Sequence, residues 1–219
     1  MAQVPTGTTV FVASAFASSL PFTAATNATE TVLSMASTSG LSVNDIVEVT
    51  SSWGRLNGRA ARIKALVANT SITLEGMDTS NTTFFPAGAG AANSSVRKVS
   101  TFTQVTQVTS VSSSGGDPVS IDYKYMESDV RFKINDGFNG TDYTLTMDAD
   151  AIGTAGYTAL KQLTDVQTNT IVRVVSRNGQ QMLIPGTVAL NESVQMNDGQ
   201  INTVTASISG TNRLTRYAN

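Results

Sequence analysis

Two carboxylate pairs sit two residues apart, Asp148 with Asp150 and Glu127 with Asp129. On a strand that spacing places both acids on one face. Glycoside hydrolysis requires carboxyls that face each other across a cleft. These pairs fall near strand ends and turns, so they read as solvated acids. Ser95 and Lys98 match a Ser-x-x-Lys dyad. That chemistry needs a helix start and a Lys-Thr-Gly partner, whereas this stretch opens a strand and no such partner follows. The glycines of "GAGAAN" from Gly88 lack the preceding strand, third glycine and following helix of a dinucleotide fingerprint. "DGFNGTD" from Asp136 offers oxygens to calcium without EF-hand spacing and reads as a turn.

The chain has no histidine and no cysteine. The usual general base, the usual zinc ligand and every Ser–His or Cys–His nucleophile are therefore missing. Disulfides and thiolate metal sites are excluded. No enzyme activity, cofactor or metal is expected. The net charge is −2 and the basic residues are scattered, which does not make a nucleic-acid clamp. Charged residues form only 14% of the chain, against about 25% in ordinary domains. Either other subunits cover much of the surface, or this is a Thr-rich β-domain of low charge. No apolar run approaches the length of a membrane span. "VFVASAFASSLPFTAAT" lacks the positive start of a secretion signal. The expectation is a cytoplasmic product that engages no membrane.

The elements that must carry these residues are mostly strands. Residues 1 to about 40 read as an extended arm with a first strand near Thr9–Ala13. "VNDIVEVTS", "GRAARIKALVA" and "SITLEGM" are three short strands of an antiparallel meander. Trp53 lies between two of them, as a cap on their core or as a ligand platform. Thr79–Ser95 is a loop broken by Pro86, Gly88 and Gly90. Phe84 and Phe85 within it either tuck under the loop or dock on a neighbour. From Val96 a long Val/Thr strand resumes, and Val105, Val108 and Val111 at intervals of three predict a bulge. Ser112–Pro118 reads as a flexible connector, joining that strand in a hairpin to one with Val119, Ile121 and Tyr123 on one face. "TAGYTALKQLTDV" predicts a helix near 154–166 with Thr154 as N-cap. Asn178–Gly179 predicts a type I′ turn in a hairpin, "TIVRVVSRNGQQMLI", and "GTVALNESVQM" reads as a further strand after it. The fold class is thus mainly β: an antiparallel β-sandwich with one short packed α-helix, an extended N-terminal arm and long loops. It divides into 1–95, with arm, meander and loop, and a core sandwich at 96–219.

Several stretches resemble the major tail tube proteins of long-tailed, non-contractile bacteriophages. They are "LSVNDIVEVTSSWGRLNGRAARIKAL", "ITLEGMDTSNTTFFPAG", "TFTQVTQVTSVSSSGG", "GYTALK" and "NTVTASISGTNRLTRYA". The resemblance covers most of the chain from residue 41 onward. It implies a tail-tube-like sandwich whose copies form hexameric rings stacked helically into a hollow tube. Each copy would add strands to a β-barrel lining the lumen, and a long loop and terminal arm would reach into adjacent copies. It also implies a tape-measure protein in the channel, tail tip or baseplate and tail terminator proteins as partners, and passage of DNA without sequence recognition. The location implied is the virion tail, assembled in the host cytoplasm. Ser113, Ser114, Gly115 and Gly116 match the family's flexible loop; with Phe84 and Phe85 they are the expected subunit interface. A bore that passes DNA should be neutral or acidic, which nominates Asp122, Asp142 and Asp148 as lumen-facing. The alternatives are a tail terminator or capsid-decorating sandwich, and a surface adhesin or pilus-like β-domain.

Overall fold

The computed structural model describes residues 6–218; the first five residues of the expected arm lie outside that range. The first half holds β1 (Thr9–Phe16), β2 (Leu20–Pro21), β3 (Ala24–Ala25), β4 (Val32–Ser34), β5 (Ile46–Thr50), β6 (Arg59–Val67), β7 (Ser71–Leu74) and β8 (Ser95–Val105). Then come β9 (Val108–Gly115), β10 (Pro118–Tyr123), β11 (Phe132–Phe138) and β12 (Thr141–Asp148). A 3-10 turn (Ala149–Ala151) leads into α1 (Ala155–Val166). The chain closes with β13 (Thr170–Val175), β14 (Gln181–Gln195), β15 (Thr203–Gly210) and β16 (Thr215–Tyr217).

The main sheet is antiparallel and curled, in the order β3-β4-β7-β6-β5-β8-β1-β13-β14-β15-β12-β9. It folds over two principal cores as a β-sandwich. The smaller core lies under β4–β7 and gathers Leu33, Val47, Ile63, Ile72, Leu74 and Trp53. The larger gathers Val10, Val12, Leu145, Met147, Leu160 and Ile208. Ala13, Ile46, Ile171, Leu183 and Tyr217 fill the junction between them. The meander expected at β5–β7 is present, each strand paired with the next. β1 does not extend away from the fold. It lies between β8 and β13 with Val10, Val12 and Ala13 buried.

The helix forms where its apolar stripe predicts. Thr154 accepts a hydrogen bond from Tyr157 N at 3.3 Å, which satisfies one of the orphan donors of the first turn. Tyr157, Ala159 and Leu160 are buried against the larger core. A Cβ on Gly156 would stand 2.5 Å from the Gln104 carbonyl oxygen, so this glycine lets the helix approach β8.

Four local expectations are corrected. The long strand after Val96 breaks at Thr106–Gln107, where Gln107 is left-handed (φ 58°), into β8 and β9. Ser112–Gly115 is strand rather than connector, and β9 does not pair with β10. β9 pairs with β12, while β10 pairs with β11 as a separate ribbon. The Ser176–Gln180 connection is a hairpin but not type I′: only Gly179 has positive φ (86°), with Gly179 N donating to Ser176 O at 2.9 Å. That is the longer hairpin loop whose left-handed residue follows the turn. Finally, "IPG" does not end a strand. β14 runs through Pro185, where one flank changes partner from β16 to β15. Proline is tolerated at such an interruption of the ladder.

Candidate assembly surfaces

Strict alternation builds one surface. On β12, Tyr143, Leu145 and Met147 point into the larger core, which turns Asp142, Thr144, Thr146 and Asp148 to the opposite face. On β15, Val204, Ala206 and Ile208 point inward and Thr203, Thr205, Ser207 and Ser209 outward. β14 adds Thr187, Ala189 and Asn191, directly opposite Ser209, Ser207 and Thr205. β9 adds Ser110, Ser112 and Ser114, opposite Thr146, Thr144 and Asp142. The four-stranded segment β14-β15-β12-β9 therefore has one apolar face and one face of Ser, Thr and Asn. Its only formal charges are the two aspartates at the ends of β12.

Among the described residues this segment has two edges with no strand partner. β9 is paired on its β12 side alone. On the opposite side of the segment, β14 loses its β13 partner after Gly186. Beyond that point its outer flank meets only the helix: Leu190 N donates to Thr164 Oγ1 at 2.8 Å. Tyr157 donates to Glu192 Oε1 at 3.1 Å, and Lys161 Nζ to the same oxygen at 2.8 Å. These bonds hold the Glu192 carboxyl below its ordinary range. Desolvation first, then Glu192, pushes the Tyr157 phenol up. The trio ties α1 to β14.

Beside β9 runs a groove of about 430 Å³, floored by Val10, Val108, Val174, Met182 and Leu214, with exposed Arg216 the sole charge in its lining. Val111, on the core-facing side of β9, is 38% exposed there. An open edge with uncovered core beside it is a hazard for a monomer and a template for another chain.

The β10–β11 ribbon leaves the segment through crossed glycines. Gly115 and Gly116 are left-handed (φ 81° and 80°), and a Cβ on Gly115 would lie 2.0 Å from the Gly140 carbonyl oxygen. The ribbon buries neither face. Ile121, Tyr125, Val130, Ile134 and Phe138 are exposed, and Met126 at its turn is fully so. Tyr123, Tyr125 and Phe132 cluster with ring centroids 5.5–6.1 Å apart. Arg213 lies over Phe138 at the ribbon's base, 5.3 Å from the ring centroid.

The nominated residues separate into four places. Ser113, Ser114 and Gly115 lie on the free β9 edge, opposite Tyr143, Asp142 and Thr141, with Gly116 following. Asp142 and Asp148 share the polar face, and Asp148 also caps the 3-10 turn. Asp122 is on the ribbon, 3.7 Å from Lys133. Phe85 packs edge-on against Trp53 of its own chain at 5.4 Å. Trp53, 2% exposed, donates from Nε1 to Pro86 O at 2.9 Å, so it pins the 79–95 loop from beneath. Phe84 is exposed, with the Arg55 guanidinium 3.4 Å over its ring. Sequence reasoning missed the β14 edge because "IPG" read as a break. The outward Ser/Thr rows of β12 and β15 were legible in "TLTMD" and "TVTASIS".

The carboxylate pairs face no cleft. Asp148 Oδ1 accepts from Asp150 N at 3.0 Å, and Glu127 and Asp129 lie exposed beside the ribbon turn. Lys98 is 2.8 Å from Asp45 and on a strand with Ser95, so the Ser-x-x-Lys spacing makes no dyad. Among the described residues no helix is long and apolar enough to cross a membrane. Comparison with curated proteins gives no match. The family described as "Phage tail tube protein, TTP" matches residues 51–219. That span covers β6 and β7 of the meander, the loop, the four-stranded segment, the ribbon and the helix, so the chain belongs to the phage tail tube protein family and is a structural protein of the phage tail.

Proposed function

We propose that copies of this chain close into hexameric rings through the β9 and β14 edges, and that the rings stack into the tube that conducts phage DNA. One observation carries the ring: a four-stranded segment whose two outer strands have no further strand partner among the described residues, with one Ser/Thr face whose formal charges are Asp142 and Asp148. Its strands alternate in direction, so β9 of one copy meets β14 of the next antiparallel, and the pattern continues without a mismatch. The two stretches are also close in length, the eight residues of β9 against the nine of Thr187–Gln195 in β14. Closure removes every edge. Six copies would give a bore of about 24 strands. The neighbour would also cover the groove beside β9, and Ser113, Ser114 and Gly115 would lie in the seam.

In such a ring the helix and both cores lie outside, and the Ser/Thr face lines the bore. Lysine and arginine on a wall would bind phosphate by releasing counterions. This face carries neither, and Asp142 and Asp148 repel phosphate, so DNA slides. Asp122, on the ribbon, belongs to another contact. The tape-measure protein would fill the bore before DNA, with tail tip and terminator proteins at the two ends and assembly in the host cytoplasm.

The test is electron microscopy of the concentrated protein and of an edge variant. The wild type should give hollow tubes. Val111→Pro and Ser113→Pro together, which remove N–H groups on the side of β9 away from β12, should leave a folded monomer without rings. Tubes of wild-type appearance from that variant would refute closure through β9.

A further inference from the structure

Three Asn–Gly pairs occur in the chain, at Asn57, Asn139 and Asn178. An asparagine before glycine can close on itself, because no Cβ keeps the next amide nitrogen from the side-chain carbonyl carbon. The fold blocks this at two of the three. Asn57 Oδ1 accepts from Ser51 N at 3.2 Å, and Gly58 N donates to Val49 O at 2.7 Å. Asn178 Oδ1 accepts from Gln180 N at 3.2 Å, and Gly179 N donates to Ser176 O at 2.9 Å. In both, the carbonyl and the nitrogen that would have to meet are held elsewhere.

Asn139 differs. It is exposed, between β11 and β12. Among the described residues neither its side chain nor Gly140 N has a hydrogen-bond partner; only its own N–H is held, donating to Asp117 O at 2.9 Å. The space around Gly140 is open, since a Cβ there would meet nothing within 4 Å. Arg213 lines the same pocket as Asn139, and a cation there favours the negative charge that develops as an amide nitrogen loses its proton.

We propose that Asn139 is a site of spontaneous covalent modification. Gly140 N gives its proton to solvent and bonds to Asn139 Cγ. The bond from Cγ to the side-chain nitrogen breaks, and ammonia leaves with a proton taken from solvent. Water then opens the cyclic imide at either carbonyl carbon, and no electrons are exchanged. One opening leaves aspartate. The other leaves isoaspartate, whose main chain is longer by one methylene. The site adjoins the crossing of Gly115 and Gly140, so isoaspartate displaces the carbonyl that Gly115 passes. This proposal is independent of the tail-tube reading.

The test is peptide mapping by mass spectrometry after the purified chain has stood at mildly alkaline pH, with isoaspartate scored by enzymatic methyl labelling. Asn139 should convert at least about tenfold faster than Asn57 or Asn178, where two ordinary hydrogen bonds must break first. Both products should appear, and the rate should rise with pH. Gly140→Ala has room for its Cβ and needs no left-handed backbone, so it should fold and slow the conversion several-fold. Asn139→Gln, which would have to close a larger ring, should stay intact over the same period. Equal conversion at the three asparagines, aspartate without isoaspartate, or an undiminished rate in Gly140→Ala would overturn the proposal. Aged wild type should unfold at a lower temperature than fresh protein, whereas Asn139→Asp, which adds the charge alone, should not. Equal unfolding temperatures for aged and fresh protein would overturn the effect on the crossing.

Discussion

The crossing of Gly115 under Gly140 distinguishes a built joint from a loose connector. Alanine at Gly116 must adopt φ 80° but meets only Thr141 Oγ1 at 3.5 Å, an ordinary contact. Its cost is the left-handed penalty alone, about 1–2 kcal/mol. Alanine at Gly115 carries the same penalty and drives its Cβ to 2.0 Å from the Gly140 carbonyl oxygen, where backbone must move. Crowding of that kind adds about 1–3 kcal/mol. Gly115→Ala should therefore cost roughly 2–5 kcal/mol, unless the end of β9 frays from Thr141–Tyr143 to relieve it. For a chain this size each kcal/mol lowers Tm by about 2–4 °C. Thermal unfolding by circular dichroism should rank wild type above Gly116→Ala and that above Gly115→Ala, the last step being at least about 2 °C. In microscopy Gly115→Ala should also impair tubes more than Gly116→Ala. Equal Tm values and equal assembly for the two variants would refute the joint and restore a flexible connector.

Other consequences follow from single contacts. Glu48 is 6% exposed and ion-paired with Arg97. Arg97→Ala should cost about 2–3 kcal/mol, since the cation is a third exposed and water can partly replace it; Arg97→Ala with Glu48→Ala should cost less, in a chemical-denaturation double-mutant cycle. Arg62 holds the Glu75 carboxyl below its ordinary value chiefly by hydrogen bonding. That stability is present above pH 4.5 and lost as pH falls through the depressed folded value, and Arg62→Ala should flatten the acid limb of a Tm–pH curve. Burial pushes the Tyr217 phenol up. Its contribution is present below about pH 10 and lost as pH rises toward the folded value, so Tyr217→Phe should flatten the alkaline limb. Thr144→Lys with Thr205→Lys should yield tubes that retain DNA at low salt and release it at high salt, measured by filter binding, whereas wild-type tubes retain none.

Much of this was legible in the residues, and the rest failed for identifiable reasons. The helix could be read because its cap and its apolar stripe agree, and tertiary packing reinforces both. The β5–β7 meander could be read because its pairings are local. β1 was legible as a strand, but its place at the centre of the sheet was not, because the partners that flank Val10, Val12 and Ala13, β8 and β13, lie about 90 and 160 positions away. The ribbon misled in the opposite way. Val119, Ile121 and Tyr123 alternate as a half-buried strand should, yet no core of the same copy meets them. Alternation reports that a face is to be covered, not which chain covers it. Pro185–Gly186 carries turn chemistry at a change of ladder partner. For the interface residues, serines at 112–114 suggested softness, but their pairing with β12 makes them one margin of a sheet.

The most direct measurement is a cryo-electron microscopy map of the assembled tail or of tubes from the purified chain. The account predicts β9 of each copy hydrogen-bonded antiparallel to the Thr187–Gln195 stretch of the next, with Thr144 and Ser207 pointing into the channel. A map in which both margins stay unpaired at the subunit boundary, or in which that Ser/Thr face looks outward, would contradict it.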